Sequence, residues 1–396
     1  MSCEDPTMNR HAMPAEADGA RERSLDEVKA EFMRRAGRFS PFEDIKREDA
    51  ERVMTALTSL DKDEWAREWC EIGFGYEEQA DARARAGAAG AALAELYMHG
   101  FDACRVGRYP TPNSPGKLEA YRASLRMFRK AAKYFDPPLE VIELPFGDKT
   151  LIGYLQRPPG SARPPVVLHW GGVDGWKEDR LRIAEAIMDA GLASLSIDMP
   201  GSGENPVLFG DPDAERSYLM WLDHLPLRTE IDGTRIGVWG GSFGAYWAAR
   251  LAFVAPDRIK GAVFHGGNIH YGFQKEWLIS AFTTGGATYL FGAQSLLEAR
   301  SRAMGTKTLE EFLAIAPRFS LQTMGLLDKP SAPILGVNGK LDDQAPVDDI
   351  YLLLEHGNPK AARIYANGRH MGRTPGAPSG HITTTIVEWL RGQLAR

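Results

Sequence analysis

The chain has 396 residues, 25% of them charged and 43% hydrophobic, with a formal net charge of −6. That length exceeds one small core and predicts a catalytic body plus an appendage. No run approaches the ~18 apolar residues that span a bilayer, which excludes a helical membrane protein, and a pI near 5.9 argues against a nucleic-acid surface and for a neutral or cationic small molecule as partner.

Residues 1–23 are polar, carry both charge signs and lack an apolar h-region, so they read as a disordered tail and not as a secretory signal. Cys3, Cys70 and Cys104 are widely spaced with no C-x-x-C pair. They predict neither a zinc site nor a disulfide framework, and the expected compartment is the reducing cytoplasm. No metal or cofactor is called for.

From Ser24 the pattern turns helical. Ser24-Leu-Asp-Glu27 is a capping box, and Leu25, Val28 and Phe32 share one face. Further helices are expected over Glu48 to Leu60, Asp63 to Gly75, a long segment from Tyr76 to Arg105, and Ser114 to Phe135. Within the long segment, the small residues from Ala84 to Ala94 predict close helix contact. A tetratricopeptide-like array would bind a partner, but no repeat of about 34 residues is found. A single helical lid domain, 24–137, is the expectation, with Pro110, Pro112 and Pro115 in a loop and Pro137-Pro138 at the boundary.

The remainder, 138–396, opens with a β-hairpin, Leu139 to Phe146 and Thr150 to Leu155 around Gly147-Asp148. Strands then alternate with helices. The predicted strands are Val166 to Trp170, Ala193 to Asp198, Arg235 to Trp239, Gly261 to His265, Pro333 to Val337 and Ala362 to Ala366, with helices over Lys177 to Ala190 and Ile382 to Leu394. This predicts an α/β fold, a mostly parallel sheet with helices on both faces and ligands beyond the C-terminal strand ends. Residues 268–329 break the rhythm and read as a helical cap insertion.

The chemistry centres on Gly240-Gly-Ser-Phe-Gly244, where an apolar strand breaks at glycines, presents Ser242 and resumes as an alanine-rich helix. This is the pattern of a nucleophile elbow, in which glycines flank a serine on a strained turn. Such a serine needs a base and an acid to orient it. Asp342, in the turn after the strand ending at Val337, is the acid, with Asp343 its nearest competitor and Asp348 and Asp349 read as caps of the next helix. His370, in the glycine-flanked loop Asn367 to Gly372, is the base, while His381 reads as a surface residue at the start of the last helix. The N–H groups of Phe243 and of Val173, in the loop Trp170-Gly-Gly-Val173, are the oxyanion donors. Asp198 reads as structural.

These residues resemble the α/β-hydrolase superfamily, whose triad follows the chain order Ser, Asp, His. Within it they resemble the branch of dihydroxypseudooxynicotine hydrolase, the fermentation-respiration switch protein and the fungal polyketide-shortening pigment hydrolases. The resemblance rests on the elbow, the loop Gly171 to Glu178, the turn Gly339 to Pro346, the His370 loop and the helical N-terminal region with its proline loop. It implies that those helices close the pocket and that a carbon–carbon bond beside a ketone is cleaved, slightly ahead of an ester. It also implies a pocket glutamate, for which Glu276 lies in the corresponding region. Gly172, Trp176, Tyr246 and Tyr271 are further pocket candidates. A non-catalytic or regulatory binding protein on the same scaffold is the alternative of another class, and a homodimer is the default assembly.

Overall fold

The computed structural model describes residues 22–39, 41–283, 289–378 and 380–395, so the expected tail up to residue 21, with Cys3, lies outside the described residues. Five helices come first: α1 (Leu25–Arg35), α2 (Arg47–Ala56), α3 (Lys62–Arg85), α4 (Ala91–Arg108) and α5 (Pro115–Ala132). Their starts follow the local chemistry. Ser24 Oγ accepts the Glu27 N–H while Glu27 accepts that of Ser24 at 2.7 Å, closing the capping box. Asp61 caps α3 by accepting from Asp63 and Glu64, and Ser114 caps α5, where Pro115 supplies a preset first turn.

The segments expected as separate helices over 63–75 and from 76 onward are not separated at Gly75. One helix, α3, runs through Gly75 and ends at Arg85, and α4 begins only at Ala91. The small residues from Ala86 to Gly90 form the exposed connection, so they do not mediate helix packing as expected. Close approach occurs elsewhere. A Cβ on Gly73 of α3 would lie 2.5 Å from Cys104 Sγ and 2.9 Å from the Gly100 carbonyl oxygen of α4, and one on Gly107 would lie 3.2 Å from Ala120 Cβ of α5.

The body is one eight-stranded sheet: β1 (Glu140–Phe146), β2 (Lys149–Gln156), β3 (Pro165–Trp170), β4 (Ala193–Ile197), β5 (Asp232–Gly241), β6 (Gly261–His265), β7 (Ile334–Gly339) and β8 (Lys360–Tyr365), ordered β1-β2-β4-β3-β5-β6-β7-β8. β2 runs antiparallel to both β1 and β4, and the other pairings are parallel. Intervening helices are α6 (Leu181–Asp189), α7 (Arg216–His224), α8 (Ala245–Val254), α9 (Lys275–Thr283), α10 (Ala293–Met304), α11 (Leu309–Ile315), α12 (Asp348–Glu355) and α13 (His381–Leu394). α7 has no counterpart in the sequence reading. Its Tyr218 and Trp221 are fully buried, and a nine-residue helix offers little periodicity to detect. From β3 the chain turns to β4 on one side and then to β5 on the other, so the switch point of the sheet lies between the C-terminal ends of β3 and β5.

The helical layer has a small apolar cluster of its own, Ala80, Leu93, Tyr97 and Ala131, but its α1–α3 aromatics share the core of the sheet. Val28, Phe32, Trp65 and Trp69 belong to the same continuous apolar cluster as Leu168, Trp170 and Phe243. Trp65 meets Phe291 edge-on at 4.9 Å, and Phe128 of α5 stacks on Tyr154 of β2 at 5.1 Å.

Gly73 and Gly75 lie in one helix but in opposite surroundings, since nothing comes within 4 Å of a Cβ at Gly75. Gly73→Ala is expected to destabilise the protein by about 1–3 kcal/mol through overpacking. Gly75→Ala should instead stabilise it by about 0.5–1 kcal/mol through helix propensity. Urea unfolding of the two variants checks the opposite signs.

Candidate active site

β5 ends at Gly241, and one 3₁₀ turn, Ser242–Gly244, leads into α8. Ser242 stands at φ 53°, the left-handed region, which a side chain enters at a cost of about 1–2 kcal/mol. Tight packing holds it there. A Cβ on Gly240 would lie 2.5 Å from the Gly244 carbonyl oxygen, and one on Gly244 would lie 2.1 Å from the Gly171 carbonyl oxygen, so both positions must be glycine. The Trp170 indole N–H then donates to the Gly244 carbonyl at 2.8 Å, pinning the elbow to the end of β3.

Ser242 Oγ lies 2.8 Å from His370 Nε2, and His370 Nδ1 lies 2.9 Å from Asp342 Oδ2. The fully buried Asp342 carboxylate also accepts the N–H groups of Gln344 at 2.8 Å and Ala345 at 3.1 Å. Burial alone would push its pKa up, but the charge and hydrogen bond of His370 and the Gln344 N–H outweigh that and hold it below the usual range. Asp343, the competitor, is pushed up to about 6 by burial and by the charge of Asp342, and the bond to His370 is made by Asp342. His381 plays no such role: its Nδ1 meets the Pro378 carbonyl in the exposed last connection.

The loop after β3 comes close enough to serve the elbow because Gly172 has no side chain. A Cβ there would lie 2.9 Å from Ser242 Cβ and 3.2 Å from the Phe243 nitrogen. No backbone carbonyl among the described residues takes the Phe243 or Val173 N–H.

Asn338, His265 and Trp239, which the sequence reading did not single out, hold the histidine loop. Met371, at φ 61°, donates its N–H to Asn338 Oδ1 at 3.0 Å, and Asn338 in turn donates to the Ala345 carbonyl in the Asp342 turn. His265 Nε2–H donates to the Met371 carbonyl at 2.9 Å, while Trp239 Nε1–H points at His265 Nδ1 from 3.4 Å. This fixes one neutral tautomer. Burial pushes the His265 pKa down to about 3, against the raising effect of the Met371 carbonyl. The strand ends were readable, but nothing in the sequence said which buried side chains would face the loop.

Ser242, His370, Gly172 and Val173 open into a cavity of about 530 Å³, whose other walls include Arg105 and Tyr109 from the end of α4 and Tyr289 and Arg300 from the β6–β7 interval.

Residues 40–367 match the Esterase FrsA-like family. The chain belongs to this family. Among curated relatives of this FrsA-like chain, Esterase FrsA of Photobacterium profundum is 24% identical over 340 residues, 84% of this chain and 77% of that protein. Esterase FrsA of Yersinia pestis is 28% identical over 211 residues, about half of each chain. The fold is similar to that of 2,6-dihydroxy-pseudo-oxynicotine hydrolase, with a TM-score of 0.73 and 20% identity over 89% of this chain and 94% of that one. It is also similar to that of AbyA5, with a TM-score of 0.67 and 21% identity over 88% and 94% of the two chains. The fold is therefore that of the α/β-hydrolases, with a helical N-terminal region.

Of the pocket candidates, only Gly172 lines the cavity of this FrsA-like chain. Trp176 is buried beneath the Arg108 guanidinium at 3.9 Å and donates to the Val173 carbonyl at 3.1 Å, so it supports the loop from behind. Tyr246 is core, its hydroxyl accepting from Arg250 and its ring set against Phe273. Tyr271 and Glu276 are exposed and are not among the residues that line the cavity. Asp349 is not a helix cap: it is fully buried and accepts the N–H groups of Ile269, His270, Tyr271 and Gly272, which folds the chain leaving β6. Asp198 is structural as expected, accepting from the Lys177 backbone and Nζ and from the Glu204 N–H.

His265 shares the sheet with His169, whose Nδ1 accepts from Arg180 Nε at 2.9 Å and whose pKa is driven well below the ordinary value by burial and by that cation. Both are neutral when folded, whereas the unfolded chain protonates them near pH 6.5. Their stabilising effect is thus fully present above pH 6.5 and is lost as the pH falls, for His265 down to about pH 3. Each should contribute a slope of up to roughly 1.4 kcal/mol per pH unit. Urea unfolding between pH 7.5 and 4.5 should show a shallower slope for His265→Gln than for the wild type, and parallel lines would contradict the neutral assignment.

Proposed function

We propose that this chain is a serine hydrolase of carboxylic esters acting through an acyl-enzyme. The observation that carries the reading is the unbroken relay from Ser242 Oγ through His370 to Asp342, at 2.8 and 2.9 Å, on an elbow facing a cavity. His370 Nε2 accepts the hydroxyl proton as Oγ adds to the ester carbonyl carbon, and the Phe243 and Val173 N–H groups receive the oxyanion. Asp342, held ionised, balances the imidazolium. His370 then gives its proton to the departing alkoxide. Water, deprotonated by the same imidazole, releases the acid and restores Ser242.

A second reading is favoured by the likeness over 89% of the chain to 2,6-dihydroxy-pseudo-oxynicotine hydrolase. The same serine would add to a ketone carbonyl, and a carbon–carbon bond would break where the leaving carbanion is stabilised by an electron-rich ring or a β-diketone. In either case the helices of 24–137 act as a lid over a small-molecule site, and the 268–329 interval acts as a cap. No described helix is long and apolar enough to cross a membrane, and the buried free thiols of Cys70 and Cys104 suit the reducing cytoplasm.

Ser242→Ala should abolish hydrolysis of 4-nitrophenyl esters and labelling by a fluorophosphonate. Asp342→Asn and His370→Ala should lower kcat by roughly 10³- to 10⁴-fold or more, whereas Asp343→Asn should stay within a few-fold of wild type. Turnover of a panel of esters, aryl ketones and β-diketones, followed by product mass, separates the two bond types. Activity persisting in Ser242→Ala would overturn the serine mechanism.

A further inference from the structure

The carboxylates along the walls of the Ser242 cavity mostly have partners. Asp179 is bound by Arg108 with Arg105 beside it, Asp102 by Arg105, Glu178 by Lys177, and Asp174 accepts the Tyr289 hydroxyl. Two buried cations on the same cavity do not. Arg180 is 7% exposed and Arg300 2%, both line the cavity with Ser242, and neither forms a salt bridge with a carboxylate among the described residues.

Each makes one protein hydrogen bond and keeps donors in reserve. Arg180 Nε donates to His169 while Nη2 has no partner, and Arg300 Nη2 donates to the Gln344 carbonyl at 3.1 Å while Nε and Nη1 have none. They also flank the nucleophile. Arg180 Nη1 lies 3.9 Å from where a Cβ of Gly241 would be, and the Arg300 guanidinium lies 5.4 Å from the Phe243 ring, so they approach the residues just before and just after Ser242. Burial pulls their pKa values down, to about 9 and about 10, which leaves both charged at neutral pH. A buried cation with unfilled donors is expensive unless an anion joins it.

We propose that Arg180 and Arg300 form an anion subsite of the Ser242 cavity, and that the ester hydrolysed there carries a carboxylate which these guanidinium groups bind. The inference rests on the hydrolase reading for the position of the scissile bond. It reverses the expectation, drawn from the net charge of −6, of a neutral or cationic small molecule. The overall charge is a surface property, and the field inside the cavity is set by the two cations left unpaired.

The test uses the full chain and the 4-nitrophenyl monoesters of glutaric, adipic and pimelic acid, each beside the neutral 4-nitrophenyl ester of equal chain length. At one length the wild type should prefer the anionic ester in kcat/KM. Arg300→Gln and Arg180→Gln should each lower that preference roughly 10- to 100-fold, the range of a charge-assisted hydrogen bond, with Arg300→Lys falling between. Because Arg180 also anchors His169, circular dichroism and Tm check its fold, and Arg300→Gln carries the test should Arg180→Gln unfold.

A preference at or below one at every length would overturn the subsite. So would an equal loss on neutral and anionic esters, which would assign the arginines to the oxyanion or to the fold. Calorimetry of monomethyl adipate on Ser242→Ala, and on Ser242→Ala with Arg300→Gln, reads the subsite without turnover. Binding that weakens at least 10-fold on loss of Arg300, together with a wild type that hydrolyses no ester, would leave the subsite standing and refute the hydrolase reading. Binding indifferent to Arg300 would refute the subsite alone.

Discussion

The left-handed backbone of Ser242 is the constraint on which the rest depends. A serine at φ 53° is not favoured by anything local, so the conformation persists only because the surroundings permit no other. Gly171, Gly172, Gly240 and Gly244 let two loops approach within a distance that any Cβ would forbid, and the Trp170 indole closes the gap. The same closeness that strains the elbow brings the Val173 loop alongside Phe243. The strain of the elbow and the closeness of the two loops are therefore one feature.

The His370 loop repeats this solution with different parts. Met371 is the other non-glycine residue at positive φ among the described residues, and it is clamped from both sides, its N–H by Asn338 and its carbonyl by His265. Gly266 lets Met371 settle against β6, since a Cβ there would lie 2.7 Å from its side chain. Asn338 also holds the Ala345 carbonyl, so the acid turn and the base loop are tied to one side chain at the end of β7. Their separation is set by the sheet, and the 2.9 Å bond between Asp342 and His370 follows from it.

What could be read from the sequence divides along physical lines. Buried parallel strands are continuous apolar runs and glycine turns are punctuation, so the sheet, the elbow and the chain order of Ser242, Asp342 and His370 were legible. Pocket walls were not, because a Trp or Tyr reads the same whether it faces a cavity or, like Trp176, sits behind one. Charged residues mislead most. Arg180 was read only as part of the helix Lys177 to Ala190 and Asp349 as a cap, yet Arg180 is 7% exposed and Asp349 is fully buried. Burial of a charge depends on partners supplied by distant segments, Arg180 on His169 of β3 and Asp349 on the chain leaving β6, and no local pattern encodes them.

The helical layer adds a further step to this argument. Its apolar side shares one cluster with the sheet, and its polar contribution, Arg105 and Arg108 from the last turn of α4, neutralises Asp179 beside the site. Asp179 keeps a buried Oδ1 without a hydrogen-bond partner one residue from Arg180, yet among the described residues the two form no salt bridge. Arg105 and Arg108, from a helix far off in the chain, reach the Asp179 carboxylate that its neighbour Arg180 does not. Charge pairing beside the cavity thus follows from the packing of α4 on the sheet and not from proximity in the chain.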